Sequence, residues 1–289
     1  TLESGSGGRT PTTLTYLTPS LGWTADYVAL FDEKAGTMDM QGWVTLTNNS
    51  GVDYKNANLI LVAGQPGRGS GMAFPESVLD EPGTESTERE RLGDFYLYPV
   101  AARTDVQNKQ QKQISFLDVK GAKARKAYEF TNDWLGGYED ANVSSVLKFS
   151  TSRNGGLGDM LPAGTVRVYM RDARGDPQFI GEARIEPTAM GSNLSLTTGQ
   201  AFDVKVTSVV VTRDKLGKNK WRTTMRYDLS SARNEPVVVD LGQGGLWGDV
   251  KITSESQPST RVSADRTEWK VTVPANGKVS VTATFESRY

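Results

Sequence analysis

The sequence predicts an all-β protein with almost no helix, and three observations lead to this prediction. Apolar and polar residues alternate in many short runs that are rich in Val, Thr, Tyr, Phe and Trp, which is the pattern of half-buried strands. Clusters of Gly, Pro, Asn and Asp separate these runs, as turns do. Apolar residues nowhere recur at i, i+3, i+4 and i+7 over three turns, so the sequence lacks the apolar face of an amphipathic helix.

In the first part of the chain, alternation predicts strands at 12–17, 27–31, 37–47, 59–63, 95–100, 113–119, 124–130, 143–150 and 165–171. Turn residues at 48–51 and 163–164 bound two of these runs. We expect irregular structure at 1–10, 64–92 and 131–139, where alternation is missing. The second of these segments is long for a loop inside a compact domain, which favours a functional or variable segment.

Further strands are predicted at 179–185, 201–213, 221–229, 237–241, 250–253, 268–273 and 279–285. In the last run Val279, Val281 and Phe285 fall on one face, with hydroxyl residues on the other. We expect two consecutive β-sandwich domains, at 1–200 and 201–289. The second domain has enough sequence for about seven strands, which suggests an immunoglobulin-like sandwich, although it lacks the Cys pair of antibody domains.

The composition excludes several kinds of chemistry. The 289 residues contain no His and no Cys, which rules out Ser-His-Asp catalysis, imidazole ligands, thiolate sites and disulfides within this chain. The net charge is -1, whereas dedicated nucleic-acid-binding domains are strongly basic. No run approaches the ~20 apolar residues of a membrane-spanning helix. We therefore expect no cofactor, no nucleic-acid partner and no transmembrane segment.

The remaining catalytic options use carboxylates, hydroxyls and amines. Ser145 and Lys148 have the Ser-x-x-Lys spacing, but residues three apart on a strand point to opposite faces, so they cannot form a dyad there. Asp172 and Asp176 could form a weak calcium site, although the same residues are typical of a hairpin tip. These observations favour a protein without catalytic activity over a carboxylate- or metal-dependent hydrolase.

Candidate ligand-binding residues lie in the predicted loop 131–139. They are Asn132, Asp133, Trp134 and Tyr138, and carbohydrate platforms and protein-binding anchors use aromatic and polar residues of these types. A loop that plugs the end of a sandwich would account for the same residues equally well.

Charge is also segregated along the chain. An acidic stretch at 80–90 precedes basic strands at 109–126, and Lys and Arg residues crowd the hairpin at 213–226. This pattern fits a docking surface for an anionic polymer. It also fits solvated strand faces whose edges are protected by lysines, and this second interpretation is favoured.

Several phrases of the sequence occur in the order of one known family. They are Leu21-Gly22-Trp23-Thr24-Ala25-Asp26-Tyr27-Val28, Gly42-Trp43-Val44-Thr45-Leu46-Thr47, Leu161-Pro162-Ala163-Gly164-Thr165-Val166-Arg167-Val168-Tyr169, Phe179-Ile180-Gly181-Glu182 and Gly199-Gln200-Ala201-Phe202-Asp203-Val204. Together they resemble the C-terminal domain of the mucoidy-inhibitor-A-like proteins, a bacterial domain family of unknown function. The resemblance implies an exported all-β protein without established catalytic residues. The family's usual Asp and His after Phe-Ile-Gly-Glu are replaced at 183–187, so a site centred there would be altered.

We therefore expect a non-catalytic structural or interaction module of the bacterial periplasm, outer surface or extracellular space. Its partner would be a protein or an envelope polymer, and edge strands that pair between copies would give a homo-oligomer. The alternative is a carbohydrate- or envelope-polymer-binding module that uses Trp134, Tyr138 and the basic strands.

Overall fold

The computed structural model describes residues 13–63, 90–92, 95–100 and 102–288. In this part of the chain it contains eighteen strands and no helix, so the prediction of an all-β protein is confirmed. Accordingly, these residues offer no helix long and apolar enough to cross a membrane.

The strands are, in chain order, β1 (Leu21–Asp32), β2 (Thr37–Asn48), β3 (Tyr54–Ala57), β4 (Ile60–Ala63), β5 (Glu90–Leu92), β6 (Phe95–Pro99), β7 (Thr104–Val106), β8 (Gln110–Asn132), β9 (Tyr138–Ser150), β10 (Gly164–Arg171), β11 (Pro177–Ile185), β12 (Asn193–Gly217), β13 (Lys220–Ser231), β14 (Val237–Gln243), β15 (Asp249–Glu255), β16 (Thr260–Ser263), β17 (Arg266–Val273) and β18 (Lys278–Arg288). Their burial mostly alternates along the strand, as in β18 and β13, which is what one buried and one solvated face require.

Most of the strands belong to one large mixed sheet. Its hydrogen-bonded neighbours run in the order β11-β10-β1-β2-β8-β9-β12-β13-β18-β15, while β14 pairs with β8 and β17, and β16 pairs with β17. The pairs β1–β10 and β14–β8 are parallel, and the other pairs are antiparallel. The strands β3 and β7 form a separate two-stranded sheet, and β4, β6 and β5 form a separate three-stranded sheet.

Two long strands connect the two halves of the chain. The first part of β8 pairs with β2, and its last part pairs with β9 and β14. Likewise, β12 pairs first with β9 and then with β13. Position 200, where the sequence predicts a domain boundary, lies inside β12 beside a shift in strand register. The chain therefore passes this position as strand rather than as a linker.

The buried side chains form three clusters. The C-terminal core contains Tyr128, Leu135, Val143, Ala201, Val204, Val206, Met225, Tyr227, Leu229, Val237, Val239, Leu241, Leu246, Val250, Trp269, Val271, Val273, Val281, Ala283 and Phe285. The N-terminal core is built around side chains of β1, β2, β8 and β10. A smaller cluster joins β2 to β4 and β6, and the half-buried Phe116 packs against both of these last two cores.

Some predicted elements differ from the observed ones. The strand predicted at 12–17 is wrong, since residues 13–17 form no strand and Leu17 is fully exposed. Its alternation is local, but a strand also needs a neighbour to pair with. The strands predicted at 113–119 and 124–130 form the single strand β8, because Gly121 with φ of 70° allows a bulge without ending the strand. Of the irregular segment predicted at 64–92, residues 64–89 lie outside the described residues.

Candidate functional site

An exposed pair of tryptophans lies beside the C-terminal core, where residues 133–137 connect β8 to β9. The rings of Trp134 and Trp247 stack with centroids 5.8 Å apart and planes inclined by 23°. Trp134 is 39% exposed and Trp247 is 61% exposed. We call these two residues the Trp pair. Large adjacent apolar rings on a surface are typical of a site that another molecule covers.

A cavity of about 280 Å³ adjoins the Trp pair. Its lining comes from the 133–137 loop, β12, β13 and β18, and consists of Trp134, Leu135, Arg213, Trp221, Thr223 and Ser287. The Arg213 guanidinium donates hydrogen bonds to the Leu135 carbonyl oxygen and to Thr223 Oγ1. The Lys215 ammonium lies 5.6 Å from the ring centroid of Trp221, within range of a cation–π interaction. We call this space the aromatic cavity.

Each tryptophan of the pair is held by a buried leucine next to it in sequence. Leu135 follows Trp134 and is 2% exposed, and Leu246 precedes Trp247 and is 1% exposed. Both leucines belong to the C-terminal core. The two connecting segments therefore insert one leucine each into the core and leave one tryptophan each at the surface.

A buried hydrogen-bond network fixes the base of the loop. Asn132 Nδ2 donates to the Gly136 carbonyl oxygen at 3.1 Å and to Gln243 Oε1 at 2.9 Å. The Tyr227 hydroxyl donates to the same Gln243 oxygen at 2.5 Å. Burial raises the pKa of Tyr227 well above its ordinary value, although the hydrogen bond with Asn132 opposes the rise. The hydroxyl therefore stays protonated and remains a donor at any physiological pH.

Glycine is required where the two segments meet. Gly245 has φ of 67°, and a Cβ atom there would lie 2.2 Å from the Asp133 carbonyl oxygen and 2.8 Å from Trp134 Cε3. Neither the backbone conformation nor the space suits a larger residue. The adjacent Gly244 N–H donates to the Asn132 carbonyl oxygen at 2.8 Å. This close backbone contact holds the two segments together and so keeps the rings of Trp134 and Trp247 next to each other.

Asp265 supports the second tryptophan from the side. The Ser263 hydroxyl donates to Asp265 Oδ1 at 2.7 Å, and this hydrogen bond, together with one from the Trp247 side chain, holds the pKa of Asp265 below its ordinary value. The Leu246 N–H donates to the Asp265 carbonyl oxygen at 2.9 Å. Asp265 thus positions Trp247 both through the backbone of the preceding residue and through the tryptophan side chain.

The predicted ligand-binding residues take different positions. Trp134 is at the surface, and Asp133 is exposed beside it. Tyr138 is 50% exposed at the start of β9, opposite Ser208 in the sheet, and is not among the described residues that line the aromatic cavity. Asn132 is fully buried, and its contacts are internal. Leu135, which follows Trp134, is buried in the C-terminal core.

The prediction from sequence missed two residues of this surface, Trp247 and Trp221, and it placed Arg213 in the basic hairpin at 213–226 without connecting it to Trp134. The signal available for Trp247 is its place between Gly244-Gly245 and Gly248, since a bulky ring in a glycine-rich turn tends to stay outside the core. Trp221 carries no comparable signal, because it occurs in an alternating strand.

The weak metal candidates form a hairpin tip. The Asp172 carboxylate accepts hydrogen bonds from the backbone N–H groups of Arg174 and Asp176 at 2.9 and 3.1 Å, and it pairs with the Arg174 guanidinium at 2.8 Å. The hydrogen bond from the Arg174 side chain contributes most to holding the pKa of Asp172 below its ordinary value. Within the described ranges, no group of three or more acidic side chains is placed to hold a metal ion.

Lys148 takes part in an ion cluster, which we call the Lys148 triad. Its ammonium lies 2.5 Å from Glu129 Oε1 and 2.7 Å from Asp240 Oδ2, so it ties β9 to β8 and β14. Burial by itself lowers the pKa of Lys148, but hydrogen bonds to Asp240 and Glu129 outweigh it and leave the pKa raised. Ser145 lies on the same strand at odd spacing, which places it on the other face.

A groove with mostly basic residues lies next to the aromatic cavity and shares Ser287 with it. Its volume is about 500 Å³, and its charged lining residues are Lys218, Lys220, Lys251, Arg288, Asp249 and Glu286. Glu286 lies 2.6 Å from both Lys220 and Arg222, and hydrogen bonds from these two cations keep the pKa of Glu286 low. Much of the positive charge of this hairpin is therefore already paired.

Comparison with known proteins places the chain in a family. No curated protein matches it in sequence. A family model described as a domain of unknown function, DUF4139, matches residues 12–289, which is nearly the whole chain. The chain therefore belongs to the DUF4139 family of domains of unknown function.

Proposed function

We propose that this chain is a non-catalytic binding module of an exported bacterial protein, acting in the periplasm, on the outer surface or in the extracellular space. Its ligand is an envelope polymer or a protein partner, held at the Trp pair. The cellular location follows from the resemblance to the mucoidy-inhibitor-A-like proteins, which we take to extend to this member of DUF4139.

The exposed Trp pair is the observation that carries the proposal. Together, Trp134 and Trp247 present two rings that the packing of the C-terminal core does not require, since Leu135 and Leu246 occupy the core in their place. Tryptophan is the residue type most enriched among binding hot spots. The aromatic cavity next to the pair adds a concave surface with polar groups at its wall, which is the usual form of a ligand site.

The chemistry available in the chain supports a binding role over a catalytic one. Without His or Cys, a reactive centre would have to use carboxylates, hydroxyls or amines. The two candidates of this kind are engaged in structural contacts, Lys148 in its triad and Asp172 in its hairpin tip.

Co-sedimentation with purified peptidoglycan sacculi, together with a glycan array, tests this function. We expect the wild-type protein to bind one of these materials, and the double variant Trp134→Ala/Trp247→Ala to lose that binding. Phe202→Ala is the matched control, because Phe202 is also an exposed aromatic residue, at 95%. Failure of the wild-type protein to bind either material, or equal binding by the double variant, would contradict the proposal.

We also infer that the large sheet is organised as two sandwich-like halves, of which the C-terminal half, 201–289, is immunoglobulin-like. The support is that side chains of β12, β13 and β18 meet side chains of β14 and β17 in one core. Because β8 contributes Tyr128 to the same core, the second half would borrow a strand from the first. Urea denaturation of the full chain tests the division: halves that unfold separately predict two transitions, and a single cooperative transition would contradict it.

Self-assembly through edge strands is a second candidate. Within the described residues β15 pairs only with β18, and β16 pairs only with β17, so each leaves one edge without a strand neighbour there. Such edges are templates for pairing with another chain. Size-exclusion chromatography with light scattering tests this candidate, and a strict monomer across the micromolar range would exclude it.

A further inference from the structure

Two cations share the face of the sheet that borders the aromatic cavity. In the β12–β13 pairing, Lys215 lies opposite Trp221 and Arg213 lies opposite Thr223. Directly opposite residues of an antiparallel pair project from the same face. Arg213 therefore lines the cavity beside Trp134, and Lys215 lies over the Trp221 ring at 5.6 Å.

The charge of these two cations is not neutralised by nearby described residues. Among those residues, no carboxylate lies within ion-pair distance of Arg213 or Lys215, whereas Lys220 and Arg222 on the other face share Glu286 at 2.6 Å. Unpaired cations beside apolar rings form a surface that is complementary to an anion with an apolar face.

We propose that the Trp pair, Arg213 and Lys215 bind an acidic glycan, a polymer of pyranose sugars that carry carboxylates. This inference rests on the proposed function. The apolar face of a sugar ring packs on an exposed Trp ring, while its carboxylate accepts hydrogen bonds from the guanidinium and the ammonium. Because Arg213 Nε and Nη2 already donate to Thr223 and Leu135, the ligand carboxylate would accept its hydrogen bond from Nη1.

Aromatic rings next to cations also occur in proteins that bind single-stranded nucleic acid. The observations favour a glycan, since the chain has a net charge of -1, whereas proteins that bind single strands follow the phosphates with a positively charged groove. The groove next to the aromatic cavity does not supply such a run of charge, because Glu286 lies 2.6 Å from Lys220 and from Arg222 and pairs with both.

Isothermal titration calorimetry with hexagalacturonate and with its fully methyl-esterified form tests the proposal. Both ligands present the same sugar faces, and only the first is charged. We expect the acid to bind wild-type protein about tenfold more tightly than the ester at low salt, with the difference shrinking as salt rises. Trp247→Ala should weaken binding of both ligands by about thirtyfold.

Two variants isolate the role of charge. Arg213→Gln/Lys215→Gln should remove the preference for the acid, so that the acid and the ester bind this variant with equal affinity. Lys215→Gln alone should remove part of that preference, and it avoids disturbing the hydrogen bond from Arg213 to the 133–137 loop. The matched control is Lys123→Gln/Arg125→Gln, which removes two exposed cations of β8 that do not line the aromatic cavity, and it should bind like wild type.

The outcomes separate this inference from the proposed function. Equal affinity for acid and ester, lost in Trp247→Ala, would overturn the acidic preference and support a binding site for neutral sugars. Tighter binding of an oligothymidylate than of hexagalacturonate would overturn the glycan assignment. No heat with either galacturonate form would also overturn it, and the sedimentation and array experiments would then decide on the proposed function independently.

Discussion

Replacing Lys148 with methionine is the sharpest test of how the halves of the chain are held together. The Lys148 ammonium lies 2.5 Å from Glu129 and 2.7 Å from Asp240. The Asp240 side chain is only 5% exposed, while those of Lys148 and Glu129 are 20% and 27% exposed. Methionine keeps most of the side-chain volume, so the change removes the charge and leaves a buried carboxylate without its partner.

The expected loss follows from burial. Removing one partner of a buried ion pair costs about 3–5 kcal/mol, whereas an exposed pair contributes roughly 0–1 kcal/mol. Because water reaches part of Lys148 and Glu129, we expect Lys148→Met to lower the free energy of unfolding by about 2–3 kcal/mol. For a chain of this size that corresponds to a fall in Tm of roughly 4–10 °C.

Lys126→Met is the matched control, since the Lys126 ammonium lies 3.5 Å from Glu33, whose side chain is 45% exposed. It should cost less than about 1 kcal/mol. Adding Asp240→Asn to Lys148→Met should restore part of the loss, because it removes the uncompensated charge. Chemical denaturation of the variants would measure these differences. Equal destabilisation by the two lysine variants would refute the reasoning.

The same triad sets a pH dependence. The pKa of Lys148 is raised above its ordinary value of 10.5, so the folded state binds this proton more tightly than the unfolded chain does. The contribution of Lys148 to stability is therefore fully present below about pH 10 and is lost as the pH rises through the folded pKa. The Tm difference between wild type and Lys148→Met should stay constant from pH 7 to pH 9 and shrink above pH 10.5.

Three further predictions concern the base of the Trp pair and the core beneath it. Gly245→Ala should cost about 2–4 kcal/mol and shift the tryptophan fluorescence, whereas Gly175→Ala, at a positive φ with open space around it, should cost about 1 kcal/mol. Gln243→Leu leaves two buried donors without their acceptor and should cost about 2–3 kcal/mol in urea denaturation. Trp269→Ala, at a fully buried position, should lower the free energy of unfolding by about 3–5 kcal/mol. Trp247→Ala should lower it by less than about 1 kcal/mol. Similar losses of stability in these two variants would contradict the burial assigned to the two tryptophans.

The strands were predictable because the alternation of apolar and polar residues with period two can be seen in a short stretch of sequence. The run predicted at 37–47 is observed as β2, Thr37–Asn48, and the run at 279–285 lies inside β18, Lys278–Arg288. Strand partners depend on distant segments instead. The parallel pairing of β14 with β8 and the lack of any strand at 13–17 are therefore results of the tertiary fold that no local pattern contains.

The candidate site shows the same division. Trp134 was predictable because the residues around it do not alternate. Its partner Trp247 comes from a distant loop, and only the fold brings the two rings to 5.8 Å. Asn132 misled the prediction because polar residues usually lie at the surface. Here the Asn132 Nδ2 group donates hydrogen bonds to Gln243 and to the Gly136 carbonyl inside the protein, and these two bonds offset part of the cost of burying it.

The closure of the C-terminal core explains why two tryptophans stand together at the surface. A core built from strands must be closed where the strands end, and two connecting segments each contribute a leucine there, Leu135 and Leu246. The residues next to these leucines, Trp134 and Trp247, lie at the surface. Any small polar residue would satisfy either surface position and would leave less apolar surface in water. The burial of the C-terminal core therefore does not account for two exposed tryptophans at these positions, and this supports the proposed binding site at the Trp pair.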